Sequence, residues 1–128
     1  MSGLAQALRV FLVEDTVNMQ VALTDLVRSV ADSQVVSVVP SEALAVEWAN
    51  THRDGWDLAI VDLTLEQGDG FRIVQQLAEH EPRGAIVVFS AFVTDPIRRY
   101  CRTLGADAVF HKTQSAELAN YVEGLSAG

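Results

Sequence analysis

Five polar residues stand at the ends of short apolar runs: Glu14 and Asp15 after Leu8–Val13, Asp62 after Leu58–Val61, Ser90 after Ala85–Phe89, and Lys112 after Ala108–His111. One acidic residue after such a run is weak evidence, because helix caps often sit there. Four run ends with complementary chemistry say more. Carboxylates gathered on one edge repel: two unit charges about 4 Å apart cost roughly 4 kcal/mol at an effective dielectric of about 20. A hard divalent cation removes that conflict. Magnesium takes one or two carboxylates, keeps water and uses phosphate oxygens for the rest. Asp62 is then a candidate nucleophile, forming an acyl phosphate. Ser90 offers a hydroxyl donor, and Lys112 a mobile point charge for a phosphoryl oxygen. Catalysis of this kind is mostly positioning and charge neutralisation.

Such a cluster needs elements that deliver every run end to one edge. Val35 to Val39 is a further strand, stopped by Pro40. Between the strands lie helical patterns. Met19, Ala22, Leu23, Leu26, Val27 and Val30 mark the first, and Ser41 caps a second through about Asn50 with Leu44 and Trp48 inward. Phe71, Val74, Leu77 and Ala78 mark a third, after a Gly68-Asp69-Gly70 turn; Pro82 and Gly84 end it. Asp95-Pro96 caps and opens a fourth carrying Ile97, Tyr100, Cys101 and Leu104, stopped at Gly105. Ser115 opens a fifth with Leu118, Ala119, Val122 and Leu125 inward. Strict βα alternation predicts an α/β fold with a parallel sheet covered on both faces. Five units are too few for a closed eight-stranded barrel, so an open doubly wound sheet is expected. Its functional crevice lies outside the carboxyl ends of the strands, where the five polar residues stand.

Composition bounds the rest. The 128 residues suit one domain, read as 1–128, and 49% of them are hydrophobic. Asp+Glu number 17 against 9 Lys+Arg, for a formal charge of -8, which disfavours nucleic acid and anionic lipid as direct partners. One cysteine, Cys101, excludes an internal disulfide framework. With no long apolar span and no signal-peptide pattern, a cytoplasmic location is expected. Eight of the nine basic residues are arginine, which singles out Lys112 as the one ammonium.

These residues, in this order and at these separations, resemble the receiver domain of two-component response regulators over essentially the whole chain. The acidic pair looks like Glu14-Asp15, and "LAIVDLTLEQGDG" puts the phospho-accepting aspartate at Asp62. Ser90-Ala91 looks like the family's hydroxyl and small residue, and "GADAVFHK" places its lysine at Lys112. The resemblance implies a flavodoxin-like (βα)5 fold with strand order 2-1-3-4-5, a property of the family rather than something read from these residues. It also implies Mg2+ held directly by Asp15 and Asp62, through water by Glu14, and by the backbone carbonyl of Thr64. The implied partners are a sensor histidine kinase or histidine phosphotransfer protein as donor, and a downstream protein target. A homodimer through helix four, strand five and helix five is left open. The implied activity is self-catalysed phosphoryl acceptance and autodephosphorylation, so the chain is not expected to be an enzyme acting on a separate substrate.

Two departures stand out. The family often has proline four residues after the acceptor; here it is Glu66. Its aromatic switch position is Val109, and the neighbouring Phe110 points to the other face of its strand. Thr64 and Phe92 occupy the family's variable positions that tune phosphoryl lifetime. Three other readings are carried. The chain is the N-terminal receiver of a longer regulator, with Gly124–Gly128 read either as a true end or as the start of a linker. Or it is a receiver-like interaction module that is never phosphorylated. Or it is an aspartate-nucleophile phosphatase of the haloacid dehalogenase type, against which Thr64 stands where that family's second aspartate would be.

Outside the constellation, His52, His80 and His111 lack metal-site spacing. His52 and His80 read as exposed helix-end residues, and His111 as a plain strand residue. Arg98, Arg99 and Arg102 line one side of helix four, as a solvated face or a partner-docking patch beside Val109. Cys101 reads as a small core hydrophobe.

Overall fold

A computed structural model describes residues 7–127. Met1–Gln6 and Gly128, included in the single-domain reading, lie outside the described residues. Ten elements alternate without exception: β1 (Leu8–Val13), α1 (Val17–Val30), β2 (Ser33–Val39), α2 (Glu42–Thr51), β3 (Leu58–Val61), α3 (Gly70–Ala78), β4 (Ala85–Ser90), α4 (Asp95–Leu104), β5 (Ala108–His111) and α5 (Ser115–Ala127). The five strands form one parallel sheet in the order β2-β1-β3-β4-β5, as the resemblance implied.

The strands are apolar along their length because both faces are covered. Alternate residues point to opposite sides. Phe11, Val13, Ala59, Val61, Ile86, Val88 and Val109 pack against α2, α3 and α4, through Ala45, Ala49, Ile73, Val74, Leu77 and Cys101. Val10, Leu12, Leu58, Ile60, Val87, Phe89 and Ala108 pack against α1 and α5, through Leu23, Val27, Leu118 and Val122. Val109 and Phe110 therefore face opposite cores, and Phe110 meets Tyr121 on the α5 side. Among the described residues no helix is long and apolar enough to cross a membrane.

Helix spacing misjudged several side chains, each by one residue position. On α2 the inward line is Ser41, Ala45 and Ala49, whose small side chains let the helix approach the sheet. Leu44 is rotated about 100° from Ala45 and is exposed, while Trp48 is half-buried and stacks on Phe11. On α1 Leu23 and Val27 carry the burial and Ala22 is exposed. On α4 Cys101 is fully buried, but Tyr100 beside it is exposed and tilts against Phe71. The α4 cap is Thr94, whose hydroxyl accepts from the Ile97 N–H, so Asp95 and Pro96 are already helical. His80 is a larger correction. It is buried, because its N–H bonds the Leu77 carbonyl and keeps it curled against the end of α3. Gly124 to Ala127 continue α5, with Leu125 packed against the core.

At the rim where strands begin, two aspartates close the sheet. Asp57 accepts from the Arg9 backbone N–H at 2.8 Å and from its guanidinium at 3.0 and 3.1 Å. Asp107 accepts from the Ile86 N–H at 2.8 Å and from Arg83 at 2.9 Å.

Candidate functional site

At the opposite rim the hydrogen-bond ladder runs one residue past β1 and β3. The Glu14 N–H donates to the Val39 carbonyl and the Asp62 N–H to the Val13 carbonyl, each at 3.0 Å. These bonds hold two acidic residues side by side where the chain reverses direction across the sheet, with β2 on one side of β1 and β3 on the other. On the other flank, the Lys112 N–H donates to the Ser90 carbonyl at 3.0 Å, extending β4–β5 by the same step.

Glu14 and Asp62 are 1% and 3% exposed. Burying two carboxylates costs free energy unless they are paired. Lys112 supplies the pairing: its Nζ lies 3.0 Å from Asp62 Oδ2 and 3.1 Å from Glu14 Oε1. The free oxygens are occupied too. Asp62 Oδ1 accepts from the Thr64 N–H and hydroxyl, both at 3.1 Å, and Glu14 Oε2 accepts from the Thr16 N–H at 2.9 Å. Burial pushes the Glu14 carboxyl up from its ordinary value, against the opposing pull of the Thr16 amide and Lys112. Burial alone would lower the Lys112 ammonium, but the hydrogen bonds to Asp62 and Glu14 outweigh it and the net direction is up.

Asp15 is the more open third acid. Its Oδ2 accepts from the Glu66 N–H at 2.8 Å, and its Oδ1 meets the Thr16 hydroxyl at 3.4 Å. One carboxylate oxygen from each of Glu14, Asp15 and Asp62 lies within 4.8 Å of the others. Three hard anionic donors at that spacing, of which Asp15 is partly exposed to solvent, fit a small divalent cation that keeps part of its water. The β3–α3 loop that flanks them depends on Gly70. A Cβ there would fall 2.4 Å from the Asp62 carbonyl oxygen and 2.5 Å from Leu63 Cα.

The sequence-predicted residues thus separate into groups. Glu14, Asp15, Asp62 and Lys112 are brought together. Ser90 is fully buried at the end of β4, and its Oγ accepts from the Phe92 N–H at 3.2 Å. Thr64 meets Asp62 through its amide and hydroxyl. Phe92 is exposed. Val109 is buried, and its carbonyl accepts from the Arg98 guanidinium. Arg98 is accordingly half-buried and engaged, whereas Arg99 and Arg102 are exposed. His52 is exposed and stacks on Trp48, and His111 bonds the Thr113 hydroxyl.

Sequence reasoning missed the Thr64 and Glu66 contacts. The first had a signal: a carboxylate accepting from the amide two residues on is an Asx turn. Asp69 repeats it with the Phe71 N–H at 2.9 Å, capping α3. The Glu66 contact spans 51 positions and had none.

Comparison with known proteins agrees with this fold. Among curated proteins no sequence match is found. Solved structures match throughout. The response regulator domain of Thermotoga maritima CheB superposes with a TM-score of 0.81 at 18% identity, covering 96% of this chain and 98% of that one. The CheX-CheY-BeF3-Mg+2 complex from Borrelia burgdorferi gives 0.83 at 20% identity, covering 92% and 88%. The signal receiver domain of a DNA-binding response regulator from Colwellia psychrerythraea gives 0.82 at 18%, covering 94% and 99%. The family model described as "Response regulator receiver domain" matches residues 10–123, and the chain belongs to that family.

Proposed function

We propose that the chain is a phospho-accepting switch in a two-component or phosphorelay system, with Asp62 as the acceptor and Mg2+ as the required ion. The observation that carries this reading is the buried Asp62 carboxylate, held between the Lys112 ammonium and two neighbouring acids. A carboxylate so placed is useful as a nucleophile only if the incoming phosphoryl charge is neutralised.

Glu14, Asp15 and Asp62, with the Thr64 carbonyl, would hold the ion; when bound, it supplies charge neutralisation for the phosphoryl oxygens. The Thr64 N–H and hydroxyl orient the Asp62 carboxylate. One of its oxygens attacks phosphorus, the bond from phosphorus to the donor histidine nitrogen breaks, and the histidine leaves neutral after taking a proton. Lys112 then transfers its hydrogen bond from Asp62 to a phosphoryl oxygen, and the Ser90 hydroxyl leaves the Phe92 amide to donate to another. Both motions pull on β4 and β5. Val109, tied through its carbonyl to Arg98, passes that pull to α4, where Arg99 and Arg102 face solvent as a partner surface. Water attack on the acyl phosphate resets the switch. The donor in this reading is a sensor kinase or phosphotransfer protein, and the target another protein. The magnesium and beryllofluoride named with the Borrelia CheY support the same chemistry.

The test is labelling by acetyl phosphate, read by intact-protein mass spectrometry. One phosphoryl group should add per chain, only with Mg2+, and not in Asp62→Asn. Undiminished labelling of Asp62→Asn rejects the assignment.

A further inference from the structure

We propose that Gln20, in the first turn of α1, is a positioning residue for the metal site. Its side-chain N–H fixes the Glu14–Asp15 peptide, and so the direction in which the Asp15 carboxylate leaves the chain. This rests on the magnesium reading above.

The sheet ladder that holds the acidic pair stops halfway through Glu14. The Glu14 N–H donates to the Val39 carbonyl at 3.0 Å. Past Val39 the chain runs through Pro40 and Ser41 into α2, so no amide of β2 is left to meet the Glu14 carbonyl. An unpaired carbonyl at a buried residue costs free energy, and Glu14 is 1% exposed. Gln20 Nε2 donates to it at 2.7 Å, and among the described residues it is the one donor to that carbonyl. A carbonyl only accepts, so the contact comes from the amide nitrogen of the side chain.

The root of the Gln20 side chain is itself anchored. The Gln20 N–H donates to the Thr16 carbonyl at 2.9 Å, and the Gln20 carbonyl accepts from the Thr24 hydroxyl at 2.8 Å. The turn from β1 into α1 has one other local brace, the Thr16 N–H on Glu14 Oε2 at 2.9 Å, since the Thr16 side chain makes no cap bond. The Glu14 carbonyl and the Asp15 N–H share one planar peptide. Turning that plane swings the Asp15 Cα–Cβ bond, while the Glu14 carboxylate stays on Lys112. Asp15 has no bond to Lys112; the Glu66 N–H meets the far end of its side chain, and Gln20 sets the near end. Groups that orient a ligating carboxylate tune affinity without touching the ion.

Gln20→Met keeps most of the bulk and removes the donor. Thr24→Val removes a hydroxyl one turn further along the same helix and controls for helix stability. By calorimetry Gln20→Met should bind Mg2+ about tenfold more weakly than the parent, and Thr24→Val within about twofold of it. Equal affinities for the two variants overturn the proposal alone, while a parent that takes up no Mg2+ overturns it together with the magnesium reading. Two readouts need no metal. By NMR the Glu14 carbonyl carbon should move upfield in Gln20→Met and stay in place in Thr24→Val. In the parent, the Gln20 side-chain amide protons should exchange with solvent more slowly than those of the exposed Gln75. An unmoved carbonyl resonance, or equally fast exchange, means that Gln20 does not hold the peptide, and the proposal fails.

Discussion

Lys112 Nζ lies 3.0 Å from Asp62 Oδ2, although 50 positions separate the two residues in the chain. The same ammonium reaches Glu14 Oε1 at 3.1 Å, so one cation offsets two buried anions. Two negative charges against one positive leave a site short of positive charge.

Removing that ammonium should expose the imbalance. Lys112→Met is expected to lower stability by about 2 kcal/mol at neutral pH, since it strands two buried carboxylates. Mg2+ should restore more stability to the variant than to the parent. Burial already raises the Glu14 carboxyl. A raised folded-state value means the folded form binds its proton first, so part of the loss should return as pH falls. Thermal melts with and without Mg2+, at neutral and mildly acidic pH, measure both effects.

Gly70→Ala tests the tightness of the β3–α3 loop. The added Cβ would lie 2.4 Å from a backbone oxygen and 2.5 Å from a backbone carbon, and neither atom is a flexible side-chain tip. Stability should drop by about 2 kcal/mol through overpacking, and labelling of Asp62 should slow. A chemical denaturation midpoint equal to the parent's would show that the loop yields easily.

Asp57 should carry an acid-sensitive share of stability. The Arg9 hydrogen bond, against the cost of burial, holds its carboxyl below the ordinary value. A depressed folded-state value stabilises above the unfolded value and is lost as pH falls through the folded one. Both side chains are 38% exposed, so solvent screening keeps the pair itself near the low end, and Asp57→Ala should cost about 1 kcal/mol at pH 7. The gap between parent and variant should narrow below pH ~4, as read from urea unfolding. A gap of constant size would exclude the ion pair as its source.

His80 should act in a higher pH window. Burial, with Arg53 adding and Glu79 opposing, lowers its imidazole below the ordinary value of 6.5. The unfolded chain therefore takes the proton first, and stability should decline as pH drops through about 6.5 toward the folded value. The His80 Nδ1 atom is buried with no hydrogen-bond partner among the described residues. His80→Leu should flatten the pH dependence of the melting temperature and add about 1 kcal/mol at pH 7.5 by removing an unsatisfied polar atom. Parallel melting curves for parent and variant between pH 5.5 and 7.5 would rule this out.

Much of the site was legible because β-sheet geometry is periodic and parallel. Each strand announces itself as an apolar run, and the residue after each run falls on the same rim whatever the helices do. Glu14, Asp62 and Lys112 could therefore be placed from run ends alone. Helix faces were less legible. A helix turns about 100° per residue, so an apolar residue one position off the contact line, such as Leu44 or Tyr100, looks inward on paper and points out in space. His80 was misread because its burial depends on how the chain leaves α3, which no local pattern encodes. Glu66 contributes through a peptide group, which every residue except proline carries, so side-chain chemistry could not have pointed to it.

The two aspartates that lock the starting rim, Asp57 and Asp107, stand a full strand length from the acids of the finishing rim. The sheet thus resembles a beam with its ion-pair fastenings at one end and its acidic cluster at the other. In the reading proposed above, heat tolerance can be engineered at the fastened rim without retuning the acidic one, and a tether or fluorophore attached there leaves the acidic rim unobstructed.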